Sequence, residues 1–129
     1  MPVNVALYTV QAALKWQPTA VYVPPGGGMV VAWLNGAWTA NPAWGFSVNG
    51  RGNLALPSAK PGYAMPGVPE GALVGLLQTT VFLIGNWTRI PPQLSGQLYL
   101  TINDDLDGKY GPGYTDNSGS LKVMMVSAT

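Results

Sequence analysis

What most restricts this chain of 129 residues is how often it has to turn. Pro24-Pro25-Gly26-Gly27-Gly28 is a run that no helix or strand can cross, because proline has no amide donor and glycine no side chain to favour one backbone conformation. Glycine and proline recur along the whole sequence, at 17 and 12 residues. Between them lie short apolar stretches at 3–10, 19–23, 29–34, 71–77, 82–86, 97–102 and 121–126, and several alternate between apolar and polar positions as a half-buried strand does. Residues 11–17 fit either one helical turn or a wandering strand. No stretch has the 3.6-residue period of a long amphipathic helix, and no internal repeat is visible. Seven or more extended segments joined by turns predict an all-β fold, a single antiparallel β-sandwich spanning residues 1–129.

The residue types that are missing narrow the chemistry. With no cysteine and no histidine, the chain has no disulfide, no thiolate nucleophile, no Ser-His-Asp or Cys-His relay and none of the usual zinc or copper ligands. Carboxylates and amides remain, and these suit calcium or magnesium. The net charge is +1, and the basic residues Lys15, Arg51, Lys60, Arg89, Lys109 and Lys122 are spread along the chain, so no nucleic-acid partner is expected. The longest apolar run, residues 72–84, has 13 positions and includes Gln78, Thr79 and Thr80, well short of the ~20 that a membrane-spanning helix needs. Met1-Pro2-Val3-Asn4 lacks the basic start of a secretory signal, which fits either a protein made without export or a domain excised from a longer secreted one.

Acidity is concentrated in one place. Asp104, Asp105, Asp107 and Asp116 are four of the five acidic residues and fall within 13 positions, with only Lys109 among them to offset their repulsion. Asn103 and Asn117 flank them, while Gly108, Gly111, Pro112 and Gly113 allow the backbone to turn its carbonyls inward. The apolar segments on either side should hold the ends of this loop together. Hard oxygen donors in that density are what Ca²⁺ takes, although a solvated hairpin loop would have a similar composition. Asn103-x-Asp105-x-Asp107-Gly108 matches the first half of the helical calcium loop, but position twelve is Tyr114 where that motif has glutamate, and the flanks read as strands.

Leu98-Tyr99-Leu100-Thr101-Ile102-Asn103-Asp104-Asp105, followed after the loop by Thr115-Asp116-Asn117-Ser118-Gly119-Ser120-Leu121, resembles the calcium-dependent galactose-binding lectins of bacteria, the LecA (PA-I) type, and related carbohydrate-binding sandwiches. Residues 71–77 and 82–86 are similar to the paired strands that precede this signature. The turn Trp38-Thr39-Ala40-Asn41-Pro42 looks like the family's first site loop. The resemblance implies a jelly-roll, galactose-binding-domain-like fold with glycans or monosaccharides as partners. It implies Ca²⁺ held by Asp104, Asp116 and Asn117, with carbonyls from Asn41 or Ala40 and from Gly113 or Tyr114. It also implies sugar contacts from Asn41, Asp104, Asp105 (through its backbone) and Asp116. Three departures stand out: the loop between Asp104 and Asp116 is longer, the aromatic residue at the first-loop position is replaced by Asn41 or Ala40, and the family's far-side His and Gln have no counterpart near residues 58–61. Calcium binding is therefore a firmer expectation than galactose specificity.

Residues 35–69 are rich in turns and aromatic rings, and Trp38, Trp44, Phe46 and Tyr63 fit either a sugar-facing rim or the closing layer of the sandwich, with packing the commoner use of tryptophan. Asn86-Trp87-Thr88 matches a glycosylation triplet and is assigned no role. Glu70 stands alone in the sequence, and as a catalytic acid it would need a second carboxylate that only folding could supply. No enzymatic activity is expected. The competing expectation is a structural β-sandwich module of a surface or viral assembly, its apolar composition explained by contacts between copies.

Overall fold

The computed structural model describes residues 3–128. Eight strands form two antiparallel sheets: β1 (Val3–Gln11), β2 (Gln17–Val23), β3 (Val30–Thr39), β4 (Leu73–Leu77), β5 (Thr80–Leu83), β6 (Trp87–Arg89), β7 (Gly96–Ile102) and β8 (Ser118–Ala128). One sheet runs β1-β8-β3-β6 and the other β2-β7-β4-β5. The chain crosses between layers at every step except the β4–β5 hairpin, which is the strand order of a jelly-roll sandwich. Two short 3-10 turns, Pro42–Trp44 and Gly113–Asp116, complete the regular structure of the described residues.

Period-two burial accounts for the layering. Val31, Leu121, Val123 and Met125 from one sheet meet Leu73, Leu77, Leu98, Leu100 and Ile102 from the other, all of them buried. Pro18 lies on β2, the edge of its sheet, where a missing amide donor is tolerated, and a register shift beside it accompanies Ala20 at φ 65°.

The expected strands are present, two details differ from the sequence reading, and of the two readings of Trp38 packing is the one realised. Residues 11–17 are neither a helical turn nor a continuous strand. β1 ends at Gln11 and β2 begins at Gln17, whose amide closes the intervening turn by accepting from Gln11 N and donating to the Gln11 and Leu14 carbonyls, all at 2.9 Å. β6 is a three-residue strand that its own composition does not announce; it is fixed by pairing with residues 30–32 of β3. Trp38 belongs to the core: it is fully buried, and its indole N–H donates to the Gly71 carbonyl at 2.7 Å. That bond ties the end of β3 to the start of β4, and so fixes the rim on which the pocket described next is built.

Candidate functional site

At one end of the sandwich, three loops converge on a shallow pocket of about 90 Å³, room for roughly three waters. Ala40 and Asn41 come from the loop after β3, Tyr63 and Glu70 from the long loop before β4, and Asp104, Asp105, Tyr110, Gly113 and Asp116 from the β7–β8 loop.

Asn103 holds two of these loops together. Its side-chain oxygen accepts from Met65 N at 2.8 Å, and its Nδ2 donates to the carbonyls of Met65 and Pro69 at 2.9 and 3.1 Å. Its backbone pairs with Gly71 and Ala72, and the next carbonyl, that of Asp104, accepts from Ala64 N. The far end of the β7–β8 loop is pinned by Tyr114, which is buried; its hydroxyl donates to the Ile102 carbonyl at 2.6 Å and accepts from Thr101. Gly113, with φ 61°, passes so close to the Asp105 carbonyl that a Cβ would lie 2.7 Å from it, so this tight turn requires glycine.

Within this scaffold the carboxylates have different duties. Asp105, 2% exposed, turns inward and accepts from Tyr110 N at 2.6 Å. Burial works against its ionisation, but the backbone N–H groups of Tyr110, Lys109, Asp107 and Gly108 outweigh that and hold its carboxyl below the usual range. Asp105 is in effect the anion around which residues 105–110 are wrapped. Asp104, 4% exposed, has one oxygen bonded to Asp105 N at 2.7 Å and the other, Oδ2, without any partner. Burial pushes its carboxyl up to about 7, with the negative charges of Asp116 and Asp105 adding to the rise; the Asp105 N–H opposes it, as does the Asn117 amide, which lies near the carboxyl without hydrogen-bond geometry to Oδ2. Asn117 donates through Nδ2 to the Ala12 carbonyl at 2.9 Å while its Oδ1, also buried, has no partner. Buried oxygens left unpaired are costly and uncommon.

The residues expected from the sequence therefore fall as follows. Asp104, Asp105, Gly113, Asp116 and Asn41 line one pocket, and Asn117 stands against Asp104 at its floor. The oxygens of Asn41 are already engaged: Oδ1 accepts from Ala43 N, and its carbonyl accepts from Trp44 N and the Thr39 hydroxyl. Asp107 is exposed and does not line the pocket. Among the described residues no group of three His, Cys, Asp or Glu side chains is placed to cage a metal, so a cation here would draw on two carboxylates, an amide oxygen and backbone carbonyls.

Two further pocket residues, Glu70 and Tyr110, were not singled out by sequence reasoning as ligand-binding, and Tyr63, read there as either rim or packing, joins them. Glu70 is brought beside the aspartates by folding, Tyr63 donates its hydroxyl to Glu70 Oε1 at 3.1 Å, and Tyr110 packs against Tyr63 with ring centroids 6.0 Å apart. For Tyr63 and Glu70 the only signal was an aromatic-rich loop leading to the chain's one isolated acid, and Tyr110 lies within the acidic loop itself. Tyr63 stays protonated well above the ordinary tyrosine range, chiefly through burial and then through the Glu70 charge.

No protein-family model matches the chain, and no curated protein does. Among solved structures it is similar to the EclA N-terminal domain, described as a PllA-like lectin, with a TM-score of 0.70 at 20% identity over 97% of this chain and 98% of that one. The chain has the fold of that lectin domain. The likeness extends across the whole sandwich, both sheets included, and agrees with the all-β architecture expected from the turn pattern.

Proposed function

We propose that the chain is a calcium-dependent carbohydrate-binding lectin of the LecA-like kind, with a galactose-type ligand. The observation that carries this reading is the pair of orphaned buried oxygens, Asp104 Oδ2 and Asn117 Oδ1, beside the half-buried Asp116. A cation among these groups would satisfy both oxygens and offset the repulsion that raises the Asp104 carboxyl. The donor set is all oxygen, which fits Ca²⁺. Asp104, Asp116, Asn117 and the Gly113 carbonyl would hold it. From the first loop the Ala40 carbonyl is a better donor than Asn41, whose oxygens are occupied.

When bound, calcium supplies open positions for two neighbouring sugar hydroxyls. The chain's own residues do the rest. Asp104 and Asp116 accept hydroxyl protons in charge-assisted hydrogen bonds, and Asp105 keeps the loop folded so that both carboxylates face the same space. The pocket is too shallow to enclose a sugar, so one edge of a ring would enter and the remainder stay in solvent. That suits recognition without catalysis. A glycan array run in calcium and repeated with chelator tests the reading: chelator-sensitive binding is expected, and silence in both conditions would refute it.

A second reading, a self-associating structural module, has an observation of its own. On the outer face of the β1-β8-β3-β6 sheet, Val5, Val126 and Val30 form one cross-strand row, and Leu7, Met124, Ala32 and Trp87 the next. Leu7 and Trp87 are 55% and 62% exposed. Contiguous apolar surface of this kind favours contact between copies, and is compatible with a homo-oligomeric lectin. Sedimentation with and without chelator separates the two: association with no glycan signal favours the module.

A further inference from the structure

Resting on the lectin reading, we propose that Glu70 and Tyr63 form a second wall of the pocket that reads one further hydroxyl of the sugar and turns away sugars carrying an acid there.

The charge distribution leads to this. Four carboxylates line the pocket, from Glu70, Asp104, Asp105 and Asp116. Asp105 is tied to the backbone of its own loop, its carboxylate accepting from Tyr110 N at 2.6 Å, and Asp104 and Asp116 are the carboxylates a cation would offset. Glu70 is left over. Its carboxylate accepts one hydrogen bond, from Tyr63, and no ion pair forms to it among the described residues.

Both residues are fixed in place. Glu70 N donates to the Leu56 carbonyl at 3.1 Å, and the Glu70 carbonyl accepts from Asn53 N at 2.8 Å. Tyr63 bridges to Asp105 of the opposite loop, and its ring is backed by Tyr110, whose own hydroxyl donates to the Pro61 carbonyl at 2.8 Å. A carboxylate held this way faces the ligand with acceptor atoms only, because the Tyr63 proton is already committed to it. The group opposite must therefore be a donor, and among neutral sugars that is a hydroxyl. A uronate carboxylate in the same position would face Glu70 at short range with no cation between them. Lys60 and Lys109 sit over the Tyr110 ring at 4.8 and 5.5 Å from its centroid, on the rim. An anion docking on that rim would be attracted, so the neutral-against-acidic comparison discriminates between wall and rim.

The test is calorimetry on the calcium-loaded full chain with galactose and with galacturonic acid, alongside Glu70→Gln and Tyr63→Phe. Galactose is expected to bind and galacturonic acid to bind at least tenfold more weakly. Glu70→Gln should weaken galactose about tenfold and reduce the discrimination against the acid, with Tyr63→Phe smaller in the same direction. Calcium affinity, measured separately for each variant, should fall by no more than a few-fold, the effect of losing one nearby charge in Glu70→Gln, because neither side chain is assigned to the cation. Unchanged galactose affinity in Glu70→Gln, galacturonic acid binding as tightly as galactose, or loss of calcium affinity in Glu70→Gln would each overturn the wall. Wild-type protein that binds calcium but neither sugar would overturn the galactose-type reading, and the wall with it.

Discussion

Asn103 and Asp104 are adjacent, both buried, and opposite in how their polar atoms are used. Every hydrogen-bonding side-chain atom of Asn103 has a partner, and those partners come from a loop more than 30 residues away in sequence. One residue later, Asp104 keeps an oxygen with none, and Asn117 across the loop does the same. Burial at this end of the sandwich does not by itself strand polar groups, since the same few ångströms of backbone satisfy Asn103 completely. Among the described residues four buried side-chain oxygens have no partner: Asn86 Oδ1 stands apart in the β5–β6 turn, while Asp104 Oδ2, Asp105 Oδ1 and Asn117 Oδ1 all belong to the β7–β8 loop. Asn103 is the hinge pin of the architecture, and Asp104 is the socket in which the proposed cation would sit.

That contrast can be broken from either side. The largest effect should come from Asp104→Ala. If a cation binds only the native state, calcium at about a thousand times Kd adds roughly 4 kcal/mol, and this variant should lose all of it. Its calcium-free stability should fall by only about 1 kcal/mol, because Oδ2 had no partner and the one hydrogen bond lost is that from Asp105 N to Oδ1. Melts with and without calcium check both halves of the statement.

Asn103→Ala should behave in the opposite way, destabilising by about 3 kcal/mol through the backbone groups it strands, by the same amount with calcium or with chelator. Chemical denaturation in the two conditions measures it, and a calcium-dependent difference would blur the distinction between pin and socket.

A third test uses pH on the calcium-free chain. The Asp104 carboxyl in the folded state sits at about 7, above its ordinary unfolded value near 4, so the protonated form favours the native state. That stabilisation is complete below pH ~4 and is lost as pH rises through 7, so the melting temperature should decline across this window. The pocket is open to solvent, which moderates the size of the effect. Calcium should abolish the decline at its alkaline end.

The smallest effect is assigned to Tyr114→Phe. It removes the hydrogen bonds to Ile102 and Thr101 while keeping the ring, at a cost of about 1 kcal/mol. Because the Gly113–Asp116 turn is then less firmly held, calcium affinity should drop a few-fold, as calorimetry would register.

The sandwich was legible because its signals are local: alternation of apolar residues and proline-glycine turns locate most strands without any knowledge of their partners. β6 was not, since three residues carry too little pattern and their strand state is imposed by pairing with β3. The acidic loop could be read for the same local reason, with Asp104, Asp105 and Asp116 close together in sequence and again at the pocket. What composition could not distinguish was duty. Asp105 and Asp107 look alike in the sequence, yet one is wrapped in backbone amides and the other is exposed. The placing of Glu70 and Tyr63 beside the aspartates was not legible, because the contacts that bring their loop there, Asn103 to Met65 and Pro69 and Tyr63 to Asp105, join residues far apart in sequence.

The central claim is that the unpaired oxygens of Asp104 and Asn117 are ligands awaiting a cation. A crystal structure of the chain grown in millimolar calcium, with anomalous scattering to identify the ion, tests it most directly. The account predicts one calcium at about 2.3–2.6 Å from Asp104 Oδ2 and Asn117 Oδ1, with Asp116 in the same shell. Water hydrogen-bonded to those oxygens, with no anomalous signal, would contradict it.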